Sequence, residues 1–78
     1  MKDAVRERAL ELAIAGRDDE QAVSEVLEAA AGRRVAVVMA RQELDQVPDA
    51  LDPETLTRAA SLLDRALEAG TWHDVAPE

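Results

Sequence analysis

The sequence predicts an all-α fold, a small bundle of three to four helices that pairs into a homodimer. Three observations lead there. Ala, Leu and Val recur at helical spacing along most of the chain, as amphipathic helices require. The three glycines, Gly16, Gly32 and Gly70, each follow a periodic segment, where helices stop. Only Val35 to Ala40 is rich enough in β-branched residues to suggest a strand. No second such run exists to pair with it, and a lone strand leaves its backbone groups unsatisfied.

The first helix is expected from Asp3 to Ala15. Val5, Ala9, Leu12 and Ala13 make its apolar stripe, widened by Leu10 and Ile14, with Glu7, Arg8 and Glu11 opposite. Gly16 supplies the left-handed cap. The second helix starts at Asp18, which pairs with Gln21 as a capping box. Asp19 and Glu20 complement the positive end of the helix dipole. Ala22, Val23, Val26, Leu27 and Ala30 form the buried face, and Gln21, Ser24, Glu25 and Glu28 the wet one.

The third segment continues past the β-branched run into Arg41-Gln42-Glu43-Leu44-Asp45-Gln46, mostly good helix formers. That continuation favours a helix. It is apolar on two sides: Val37, Ala40, Leu44 and Val47 on one, and Val35, Val38 and Met39 roughly opposite. A helix apolar nearly all round is buried on more than one side, and in so short a chain the second side points to another subunit. Val35, Val38 and Met39 are therefore the candidate self-association residues. The segment has no good N-cap, since Arg33 and Arg34 oppose a new helix dipole. One continuous helix bent at Gly32 is the alternative to two separate ones.

Residues 47–51 read as a loop. The fourth helix then opens with Asp52 as cap, Pro53 at the first position, Glu54 in the first turn and Leu51 stapled onto Leu56. Leu56, Ala59, Ala60, Leu63, Ala66 and Leu67 form the expected core face, with Ser61, Asp64, Arg65 and Glu68 outside and Gly70 closing the helix. Trp72, the one aromatic residue, is expected to fold back over the core. Residues 1–72 form a single helical domain and residues 73–78 a frayed acidic tail.

Composition narrows function. Of 78 residues, 47% are hydrophobic, yet almost all of these are Ala, Leu and Val, and cysteine is absent. Disulfides, thiolate metal sites and cysteine nucleophiles are thereby excluded. A core of Ala and Leu buries little area per residue, and domains this small often lean on metals, disulfides or association. The longest apolar run spans only residues 35–40, far short of a spanning helix. The N-terminal residues lack a signal-peptide pattern, so a cytoplasmic location is expected. The Ala and Arg richness fits a GC-rich bacterial or phage genome.

The formal net charge is -8, which disfavours direct nucleic-acid binding through phosphates. Residues 1–17 carry four basic and three acidic side chains, whereas residues 18–47 carry three and seven, and residues 48–78 two and seven. The acidic surface thus belongs to the middle and C-terminal helices. His73 is the only histidine. It would need Ser24, Ser61 or a threonine beside it to make a nucleophile pair, and its tail position argues against that. The run Asp18-Asp19-Glu20 reads as capping chemistry, because consecutive helical residues point apart. No Gly-rich phosphate loop is present. The stretch after Gly32 is too apolar for a DNA-recognition helix.

Length, acidity and helical pattern resemble those of acyl carrier proteins. That family carries its phosphopantetheine on a serine in an Asp-Ser-Leu motif after a long first loop. Here Ser24 lies in Val23-Ser24-Glu25 and Ser61 in Ala60-Ser61-Leu62, both inside helices, and the family is set aside.

No catalytic residue, metal or cofactor is expected, and no membrane partner. The expected role is non-enzymatic protein–protein interaction. The acidic face Glu20, Ser24, Glu25 and Glu28 suits a basic partner, such as a nuclease, a toxin or a nucleic-acid-handling complex. Immunity proteins, antitoxins and anti-CRISPR proteins share this physical class. The alternative is a homodimeric adaptor or assembly subunit joined through the apolar third helix.

Overall fold

The computed structural model describes residues 4–46 and 52–73. Among these residues the protein is all-helical, with four helices: α1 (Ala4–Ile14), α2 (Glu20–Ala30), α3 (Arg34–Leu44) and α4 (Pro53–Ala69). The helical option for Val35–Ala40 holds, and no strand occurs among the described residues. The residue 47–51 loop, the Leu51–Leu56 staple, Val47 and residues 74–78 lie outside the described residues.

Each helix touches the other three, but unequally. α1 and α4 both pack extensively against α2 and α3, as well as on each other, while α2 and α3 barely meet. The α1–α4 pair is therefore the spine, with α2 and α3 on either side. The core contains only apolar residues, with Leu62, Leu63, Val26 and Val37 its largest fully buried side chains. Leu62 was not expected there. α4 buries Ala59, Leu62, Leu63 and Ala66, a single stripe at i, i+3, i+4 and i+7 spacing; Leu62 lies at one edge of it, and Leu56, Ala60 and Leu67 pack partly buried along the other.

α1 buries Val5, Ala9, Leu12 and Ala13 as expected. Ile14 does not widen that stripe, being 66% exposed. Nine residues beyond Val5 at about 100° each is two and a half turns, which puts Ile14 on the far side of the helix. The helix ends in a Schellman motif: the Gly16 N–H donates to the Ala13 carbonyl at 3.0 Å and the Arg17 N–H to the Leu12 carbonyl at 2.8 Å. Gly16 has φ +76°, which explains glycine at this position.

The α2 cap is Asp19, not Asp18. The Ala22 N–H donates to Asp19 Oδ1 at 3.2 Å, so the third helical residue is Ala22 and no capping box with Gln21 forms. The Asp18 backbone carbonyl instead accepts a hydrogen bond from the Arg65 guanidinium. A stretch of three consecutive carboxylates offers two caps one residue apart, and the phase of the buried face, Ala22, Val23, Val26 and Ala30, selects the second.

α2 and α3 are separate helices. Ala31 (φ 54°) and Gly32 (φ 78°) are both left-handed, and Arg33 is extended with no side-chain cap, so the helical ladder breaks at Gly32 rather than bending through it. On α3, Val37, Ala40 and Leu44 are buried. Val35 and Met39 are 43% and 50% exposed, and Val38 is half-buried.

α4 begins with Pro53 after Asp52, which has the extended backbone of an N-cap but makes no capping hydrogen bond to the backbone. The Thr55 hydroxyl beside it holds the Asp52 carboxyl below its ordinary pKa. At the other end Trp72 folds back onto the core, partly buried, and its indole occupies the space where a Cβ on Gly70 would stand. The His73 N–H donates to the Gly32 carbonyl at 2.7 Å, tying the end of α4 to the α2–α3 turn.

Candidate interaction surfaces

Charge is distributed by a simple rule: the arginines bind inward, and the excess carboxylates remain outside. Arg8 and Arg17 converge on Glu25, at 3.4 and 3.0 Å. Arg6 reaches Glu43 at 3.4 Å. Arg41 bridges α3 to α4 through Asp64 at 3.1 Å and also bonds Asp45 at 3.0 Å. Asp45, with Asp64, holds the Arg41 guanidinium above its ordinary pKa. Arg58 and Arg65 donate to the Ala13 and Asp18 carbonyls, placing two α4 cations at the C-terminal end of α1 and the turn that follows it. Individually such exposed pairs contribute little stability. Together they occupy most of the cationic side chains.

What remains is an acidic ridge. Glu20, Ser24 and Glu28 are exposed on α2, and Glu68 is exposed on α4. Among the described residues none of these three glutamates pairs with a basic side chain. Between the helices runs an open groove of about 510 Å³ lined by Val23, Leu27 and Ala69 together with Glu20, Ser24, Glu68 and the cation Arg65. Of the four residues expected on the acidic face, three are placed together on the exposed side of α2. Glu25 is set apart: it is half-buried and turned toward α1, where Arg8 and Arg17 neutralise it. Sequence periodicity puts Glu25 on the wet face but carries no sign of the α1 arginines beside it. Glu68, expected on the outer face of the fourth helix but not among the partner-binding residues, joins this surface because α4 packs beside α2.

A second surface lies beside α3. Val35 and Met39 line a groove of about 380 Å³ whose other walls are alanines from α1 and the end of α2, including Ala4, Ala29 and Ala30. Its only ionisable lining residues are Arg33 and Glu43, one of each sign. Of the three candidate self-association residues, Val35 and Met39 face this groove and Val38 does not line it.

His73 contacts Gly32, and neither the groove that Ser24 lines nor the one that Ser61 lines includes it. Among the described residues no group of three or more His, Cys, Asp or Glu side chains is arranged to hold a metal ion, and no helix is long and apolar enough to cross a membrane. No protein-family model, curated protein or solved structure matches the chain.

Proposed function

We propose that this chain is a small, non-enzymatic protein-interaction module that engages a basic protein through the α2–α4 ridge. The observation that carries the reading is that, among the described residues, Glu20, Glu28 and Glu68 pair with no basic side chain, while Arg8, Arg17, Arg41 and Arg58 are all engaged within the fold. Unpaired carboxylates on one face give a directed negative potential, which steers a positively charged partner to the groove. A partner that binds nucleic acid presents such a positive surface, and a protein covering it acts as an inhibitor. Immunity proteins, antitoxins and anti-CRISPR proteins are the physical analogues.

The test begins with an affinity pull-down from the native host, followed by association kinetics with the recovered partner. Glu20→Lys with Glu28→Lys is expected to slow association by at least tenfold at low salt, and added salt to weaken binding of the parent protein by screening. Glu25 is left unchanged in this variant, because a lysine there faces Arg8 and Arg17. An unaltered on-rate together with no salt dependence removes the acidic reading.

A second reading, a homodimeric adaptor, is favoured by the exposure of Val35 and Met39 on α3.

A further inference from the structure

We propose that the groove between α2 and α4 takes an amphipathic α-helix of the basic partner. Its apolar ridge seats on Val23, Leu27 and Ala69, and its lysine or arginine side chains reach Glu68 and Glu28. The inference rests on the basic-partner reading above and adds a shape to the charge. Both walls of the groove are helices, whose backbone groups bond within each helix. No strand, and so no open strand edge, occurs among the described residues. An extended peptide finds no backbone partner in such a groove and leaves its own N–H and C=O groups unsatisfied wherever it loses water. A helix arrives with its backbone already paired. Val23 is buried and Leu27 half-buried, and they stand four residues apart. They form a row along α2 against which the side-chain ridge of a third helix packs. α2 has 11 residues, so about three turns of partner helix span it.

The two walls run in the same direction. Arg65 on α4 donates to the carbonyl of Asp18, just before α2. His73, just after α4, donates to the carbonyl of Gly32, just after α2. Charge is therefore ordered along the groove. Near the start of α2, Glu20 and the cation Arg65 both line it and offset each other. Farther along come Glu68 and, one turn beyond Ser24, Glu28, both exposed. α4 has no basic residue in its last turn, so the negative end of its dipole adds to Glu68. The partner's cations gather at the Glu68–Glu28 end, and the part of its helix beside Arg65 is uncharged or acidic. The same carboxylates repel a nucleic-acid strand.

Two fluorescein-labelled peptides of about 18 residues, long enough to hold a helix, serve as probes. Both carry leucines at helical spacing flanked by lysines. The second has proline at two central uncharged positions, which leaves its charge unchanged and breaks the helix. Fluorescence anisotropy with the full chain at physiological salt is expected to show the helical probe binding at least tenfold more tightly. Ala69→Trp fills the groove without altering charge and is expected to weaken that probe at least fivefold. Ala69 is exposed at the end of α4, so the thermal melt is expected to stay at the parent value. Glu68→Gln is expected to weaken the probe at least threefold, and Glu54→Gln, the same charge change at the other end of α4, to leave it unchanged. Equal binding of the two probes overturns the proposal. So does parent-like binding by Ala69→Trp, or an equal effect of Glu68→Gln and Glu54→Gln. If any of these comes with a tenfold loss in the Glu20→Lys, Glu28→Lys variant, the basic-partner reading stands and the helical occupant falls. If that variant also binds like the parent, both fall.

Discussion

Arg58 on α4 donates to the backbone carbonyl of Ala13 at 2.9 Å, so a cation from the last helix sits at the negative end of the first. α1 has no basic residue in its own last turn, and Arg58 supplies that charge from 45 residues away. Arg58→Ala removes both a charge-assisted hydrogen bond and a favourable dipole contact. It is expected to cost about 1–2 kcal/mol in urea titration. Glu54, which Arg58 also approaches at 4.0 Å from an exposed position, serves as the control, and Glu54→Ala is expected to stay within about 0.5 kcal/mol of the parent.

Leu62 and Ile14 are both large aliphatic residues in amphipathic helices, and the structure assigns them opposite fates. Leu62→Ala opens a cavity where the side chain is fully buried, with an expected loss of about 2–5 kcal/mol. Leu63→Ala is expected to fall in the same range. Ile14→Ser removes an exposed side chain and is expected to change stability by less than about 0.5 kcal/mol. Circular dichroism during denaturant titration measures all three.

Asp18 and Asp19 separate two ways in which a carboxylate residue serves a helix start. Asp19→Ala deletes the bond to the Ala22 N–H and is expected to cost about 1 kcal/mol. Asp18→Ala keeps the backbone carbonyl that Arg65 uses and is expected to cost much less. Amide exchange at Ala22 reads the difference directly, with faster exchange in the Asp19 variant only.

Gly16 and Gly32 share a positive φ but not their surroundings. A Cβ at Gly16 meets open space, whereas a Cβ at Gly32 stands 2.9 Å from His73 Nδ1. Gly16→Ala carries the left-handed penalty alone, about 1–2 kcal/mol. Gly32→Ala carries the same penalty and also pushes the His73 ring away. It is expected to destabilise more and to shift Trp72 fluorescence to longer wavelength as the indole gains water. The Gly16 variant, folded, is expected to keep the parent spectrum.

Much of the fold was legible in the sequence because helical periodicity reports which side of each helix is apolar. That signal placed Val5, Ala9, Val26, Val37 and Leu63 correctly. It failed where a residue's surroundings depend on a helix distant in sequence. Glu25 is neutralised because α1 lies beside α2, which the local pattern of α2 does not carry. Leu62, three residues after Ala59 and four before Ala66, does fit the helical spacing and was legible. The Asp18–Asp19 ambiguity is different in kind, since both residues can cap and only the register of the buried face decides between them. At the candidate surfaces, the acidic character of α2 was readable from composition. The contribution of Glu68 and the alanine walls of the α3 groove required the packing of helices.

The central place of α4 also bears on how the chain is made. Ribosomes deliver α1, α2 and α3 first, and of these α2 and α3 barely touch. Until α4 emerges, Val26 and Val37 have only α1 as a substantial partner, and the half-built assembly exposes the apolar surface that Leu62 and Leu63 later cover. Completion of the core therefore waits on α4, whose Leu62 and Leu63 are among the largest fully buried side chains.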